Sequence, residues 1–200
     1  MKKIAGIIIL IAIVFGIWWI FFRSGSHDNT PKQPPLKVNA HSKEFNNSVT
    51  AAVNGYLGLK DAFVEADTAQ VKMSEKKFIA SLDSMKLDEL KKDTTGIFQS
   101  AQAQVSDIKS NADAILKETD ITEMRQDFRM VSENLFPFLK TIHYEGQKLY
   151  WENCPMAFGE GKDASWISNT VQIMNPYLGK KNPEFKATMV GCGEVKDTIQ

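Results

Sequence analysis

The sequence predicts an all-α protein: an up-down four-helix bundle with an irregular Cys/Met/Trp-rich C-terminal strap, preceded by one transmembrane helix. Three observations carry this expectation. Ile4 to Phe22 is a run of 19 residues without a charge. Four successive stretches before Gly146 repeat apolar residues at three- and four-residue spacing. Beyond Gly146 that periodicity stops, and both Cys, two of the four Trp and five of the twelve Gly follow before residue 196.

The apolar run comes first. A helix rises about 1.5 Å per residue, so this run matches a hydrocarbon core about 30 Å thick. Lys2 and Lys3 precede it, which predicts an N-terminus in the cytoplasm. Trp18 and Trp19 sit near its far end, where aromatic rings favour the interface. A cleaved signal peptide is the alternative, with Ser24-Gly25-Ser26 as the small-x-small site and cleavage after Ser26. Both readings export residues 24–200, which for a bacterial chain means a periplasmic domain. The anchored reading adds a single pass through the inner membrane. Residues 1–23 are then the anchor and residues 24–43 a Pro-containing polar linker. Residues 44–196 form the exported helical domain, its strap beginning at about residue 147.

Within that domain, Phe45, Val49, Ala52, Val53, Tyr56, Leu59 and Phe63 make one apolar face. Asp67 with Gln70 reads as a capping box, opening a helix with Val71, Phe78, Leu82 and Met85 inward. A third stripe runs through Phe98, Ala101, Val105, Ile108, Ala112 and Ile115. Asp120 with Glu123 caps a fourth, carrying Met124, Phe128, Val131, Leu135, Leu139 and Ile142, with Pro137 predicted to kink it. Short connections favour antiparallel neighbours. In the strap, Ser165–Met174 is the one stretch that admits a helical reading, and Trp151 and Trp166 are the expected anchors onto the bundle.

Charge excludes a class of function. Lys and Arg total 24 and Asp and Glu total 24; removing the N-terminal 23 residues leaves 21 basic against 24 acidic. Nothing here attracts nucleic acid. No G-x-S-x-G, H-E-x-x-H, P-loop or dinucleotide fingerprint occurs, and the two Cys do not form the Cys-x-x-Cys of a thiol-disulfide oxidoreductase. The expectation is a non-enzymatic protein.

The sulfur-bearing residues carry what chemistry there is. Pro155 biases Cys154 towards an extended conformation, where residues i and i+2 share a side, so Cys154 and Met156 can face one point. Met189 and Cys192, with Gly191 and Gly193 flanking the Cys, can converge in the same way. Two thiolates with thioethers form a soft donor set that suits Cu(I). His143, at the end of the fourth stripe, is a further candidate ligand. The competing reading is a structural Cys154–Cys192 disulfide, contributing on the order of 4 kcal/mol, with the Met residues as core filler.

Cys154-Pro155-Met156-Ala157, Ala164-Ser165-Trp166-Ile167-Ser168, Ile173-Met174-Asn175-Pro176-Tyr177-Leu178-Gly179 and Met189-Val190-Gly191-Cys192-Gly193-Glu194-Val195 occur in this order. With Tyr56-Leu57-Gly58-Leu59-Lys60-Asp61-Ala62, this set resembles a small helical exported domain of unknown function over roughly residues 45–196. That domain is found alone or at the C-terminus of membrane-fusion-type heavy-metal (copper/silver) efflux adaptor proteins. The resemblance implies soft-metal handling, and an efflux adaptor or another envelope protein as partner. Asp163 stands where the family has Gly, and Lys180 to Thr188 is a longer, charged insertion before Met189. The resulting expectation is a soft-metal binding module, with Cu(I) held by Cys154, Met156, Met189 and Cys192. The alternative is a protein-interaction module stapled by a disulfide and free of metal.

Overall fold

A computed structural model describes residues 41–93 and 95–200 of the chain. Its element order is α1 (Lys43–Glu65), α2 (Thr68–Asp83), a 3-10 helix (Leu87–Lys92), α3 (Ile97–Lys117), α4 (Ile121–Thr141), β1 (Leu149–Cys154), β2 (Ala164–Ser168) and β3 (Glu194–Ile199).

Three of the four helices begin where their sequences supply caps; α3 starts after Gly96 without a side-chain cap. The Ser42 side chain accepts from Phe45 N at 3.2 Å, Asp67 from Gln70 N at 3.0 Å, and Asp120 from Thr122 N at 2.8 Å. Helix α1 ends on Ala66 in the left-handed conformation (φ 51°), which turns its N–H back to Phe63 O. Every residue named above in the stripes of α1 and α4 is buried, as are Val71, Phe78 and Leu82 of α2 and Ala101 to Ile115 of the α3 stripe. Met85 and Phe98 are half-buried at the edge of this core. Pro137 lies inside α4, which continues to Thr141. Each helix packs on the next, and β2 lies against α4 and α1.

The all-α expectation is corrected by the strap. It holds no helix and is irregular only between its strands. It forms a three-stranded antiparallel sheet of order β2-β1-β3, and Ser165–Met174 starts as strand, not helix. The period-two signal is absent for physical reasons. A register shift between Trp151 and Glu152 breaks the alternation in β1, so Leu149, Glu152 and Cys154 are the buried positions. All five residues of β2 are buried, so it reads as a continuous run. In β3 only Ile199 is buried, and its polar residues lie along the sheet's outer edge.

The membrane expectation is corrected as well. No helix among the described residues is long and apolar enough to cross a membrane. Each described helix is amphipathic; α1, for example, carries Lys43, Glu44, Lys60, Asp61 and Glu65. A single-pass inner-membrane location therefore has no spanning helix among them. The predicted span Ile4–Phe22, the Ser26 cleavage site and the linker up to residue 40 lie outside the described residues.

Glu75 occupies a core position in α2, in the stripe between Val71 and Phe78. It is fully buried, and neither carboxyl oxygen has a hydrogen-bond partner among the described residues. Burial first, and Asp113 second, push its pKa from 4.5 to about 9. The folded state thus binds a proton that the unfolded chain has lost by neutral pH. Stability from this group is full below about pH 4.5 and falls as pH rises towards about 9.

Two outcomes follow from this core. Leu135, only 1% exposed, should cost about 2–5 kcal/mol when changed to Ala, read as a lower denaturation midpoint at unchanged slope. Glu75→Met should raise stability at pH 7 by about 3 kcal/mol and flatten the fall with rising pH in a denaturation series.

Candidate functional site

The sheet brings the two sulfur clusters to one place. Cys154 ends β1 and is fully buried, and Cys192 lies just before β3. They form a disulfide with a Cα–Cα distance of 5.7 Å, within the ordinary range. Met156 follows in the turn where Gly159 N donates to Met156 O at 3.1 Å, and Cys192 N donates to Met189 O at 2.9 Å. Both Met side chains are half-buried against the core.

The Lys180–Thr188 insertion does not carry Met189 away. It closes on itself: Lys186 N donates to Asn182 O at 2.8 Å, and Asn182 Oδ1 accepts from Glu184 N and Phe185 N, both at 2.9 Å. Phe185 packs against the core.

The Asn175-Pro176-Tyr177-Leu178-Gly179 turn holds the strap down. Asn175 Nδ2 donates to Cys192 O at 2.9 Å, while its Oδ1 accepts from Tyr177 N and Leu178 N. Tyr177 donates its hydroxyl to Ser165 O at 2.5 Å. Arg125 donates from Nε to Pro176 O at 2.9 Å and from Nη2 to Phe63 O at 3.3 Å, joining the turn to the end of α1. Lys180 N donates to Val64 O at 2.7 Å. Gly179 has φ +60°, and a Cβ there would stand 2.6 Å from Arg125 Nη2 and 3.0 Å from Phe63 O. At Gly193 (φ +144°) a Cβ would come within 2.8 Å of the Trp166 ring.

His143 is not part of this cluster. It follows α4 in the left-handed conformation (φ 50°) and is exposed. Among the described residues no group of three or more His, Cys, Asp or Glu is placed to hold a metal ion. The residues that fit a soft ion here are two Cys and their neighbouring Met, and the thiols must first be reduced.

Sequence reasoning missed the polar residues beneath the sheet. Tyr56 Oη lies 2.7 Å from Ser132 Oγ and accepts from Ile167 N at 3.1 Å, so one hydroxyl joins α1, α4 and β2. Glu152 is fully buried opposite Trp166, with no partner at hydrogen-bonding geometry on either oxygen. Burial raises its pKa to about 7, and the nearby Trp166, Lys60 and Ser168 only partly counter it. The one available signal was its place two residues before Cys154. Arg125 was equally hidden; it adjoins Met124 on the inner stripe of α4.

Residues 52–146 match the model of a family described as "Protein of unknown function (DUF3347)". The match runs from the middle of α1 to just past α4. It leaves the sheet and both Cys outside, so it is narrower than the resemblance over residues 45–196. No curated protein and no solved structure matches the chain. The family match carries no statement about efflux adaptors or an exported location.

The disulfide supplies a direct test of how the strap is held. Changing both Cys154 and Cys192 to Ala, or reducing the bond, should lower stability by on the order of 4 kcal/mol in denaturant titrations. The parent without reductant is the reference.

Proposed function

We propose that this protein is a non-enzymatic soft-metal binding module, and that its reduced form takes one Cu(I) on Cys154 and Cys192 with Met156 and Met189 as thioether ligands. The observation that supports the reading is the 5.7 Å approach of the two Cys, which gathers sulfur residues from separate parts of the chain at the end of one strand. A set of thiolate and thioether sulfurs suits a soft monovalent ion and needs no carboxylate. The disulfide is then the metal-free, oxidised form. Metal homeostasis or efflux is the setting this chemistry suits, with a heavy-metal efflux adaptor or another envelope protein as partner.

The same disulfide favours a second reading: a protein-interaction module in which the bond is a permanent staple and no metal binds. Anaerobic Cu(I) titration of the reduced full chain against a competing chelator separates the two. The expected result is one tight equivalent for the parent, weaker binding for Met156→Leu with Met189→Leu, and near loss for Cys154→Ser. A parent that binds no more tightly than Cys154→Ser sinks the metal reading and leaves the stapled module.

A further inference from the structure

Away from the sulfur cluster, His41 sits where the described residues begin, immediately before the Ser42 cap of α1. Its ring is nearly enclosed, with the side chain 11% exposed, and stacks on Phe45 at a centroid distance of 4.2 Å. Both ring nitrogens meet acceptors. Nδ1 lies 3.0 Å from Glu89 Oε1 on the 3-10 helix, and Nε2 lies 2.8 Å from Ile142 O at the carbonyl end of α4. A carbonyl oxygen can only accept, and so can an ionised carboxylate. A neutral imidazole has one N–H and satisfies one of the two; the imidazolium satisfies both. Its charge also stands at the negative end of a helix dipole, where cations are favoured.

The surrounding bonds converge on the same junction. Ser42 N donates to both Glu89 oxygens, at 3.0 and 3.1 Å. His41 N and Asn46 Nδ2 both donate to Glu145 Oε2, at 3.1 and 3.0 Å. Glu89 is held below its ordinary carboxyl value: burial would raise it, but the bonds from Ser42 and His41 outweigh burial. Among the described residues, the charged groups bonded into the junction are thus Glu89 from the 3-10 helix and Glu145 from the segment after α4. His143, next to Ile142, is exposed.

We propose that His41 is a pH-sensitive latch: as the imidazolium it fastens the start of α1 to the 3-10 helix and to the end of α4, and on losing a proton it lets one of them go. The neutral ring turns a lone pair towards either the Glu89 carboxylate or the Ile142 carbonyl, and that contact becomes repulsive. The first turn of α1 and its Ser42 cap then open more often, without unfolding the bundle. This inference is independent of the sulfur chemistry, and its test contains no metal.

The test is amide hydrogen exchange on the full chain from about pH 5 to about pH 8, corrected for intrinsic rates and read at Phe45 and Asn46 relative to the core amide of Leu135, which carries the global fall set by Glu75. In the parent, protection at these amides should fall about tenfold across the range. In His41→Gln it should be low and independent of pH. A second measurement needs no variant: the ring 15N shifts of His41 in the parent should report protons on both nitrogens at about pH 5. Constant protection in the parent, a fall retained in His41→Gln, or one unprotonated ring nitrogen at the acid end would each overturn the proposal.

Discussion

The bond between Cys154 and Cys192 joins residues 38 apart in sequence, and the arrangement of the C-terminal quarter depends on it. It ties the buried end of β1 to the residue that leads into β3, so β3 starts beside the strand it must pair with. Between the two Cys the chain crosses β2 and then a long stretch without regular structure. Such a stretch loses conformational entropy on ordering that its own backbone bonds do not recover. The tie at Cys192, the Asn175 amide on the Cys192 carbonyl, and the Arg125 clamp at the end of α1 hold it at three separate points. The Asn-Pro-Tyr-x-Gly sequence is therefore explained by packing: it is held by Arg125 at the end of α1 and positions Cys192.

The bundle was legible and the sheet was not, for one reason. A helix buries a stripe, and a stripe is visible as spacing, which is why Tyr56, Phe78, Ile108 and Leu135 were all read correctly as core. These strands are short, and each spoils its own alternation: β1 by its register shift, β2 by burial on both faces, β3 by exposure. The pairing of Cys154 with Cys192 stood in the sequence as one of several readings. The separation of His143 from it did not, because that depends on how the chain leaves α4. The buried Glu75, Arg125 and Glu152 were invisible, since a charged residue on an inner face breaks the very pattern used to find that face.

Polar groups also decide how the two layers meet. Apolar contact alone would let β2 slide over α4 and α1, because it has no direction. The Tyr56 hydroxyl, shared between Ser132 and the Ile167 amide, permits one register. Trp151 stacks on Phe136 with ring centroids 4.4 Å apart, and Lys140 lies over the same Phe136 ring, so β1 is pinned to α4 as well. A core built this way gives up some apolar area and gains a single arrangement.

The exposure of β3 has a consequence for the behaviour of the protein in concentrated solution. Among the described residues β3 pairs on one side only, with β1, so its other side is an open template for strand addition. That template is poor. Glu194, Lys196 and Asp197 alternate in sign along six residues, and the register shift in the β1–β3 ladder twists them out of line. Lys140, bridging to Asp197, crowds the same margin. An approaching strand would have to strip water from these charges before it gained any backbone bond. The described residues thus leave a sheet margin open without inviting fibrous self-association.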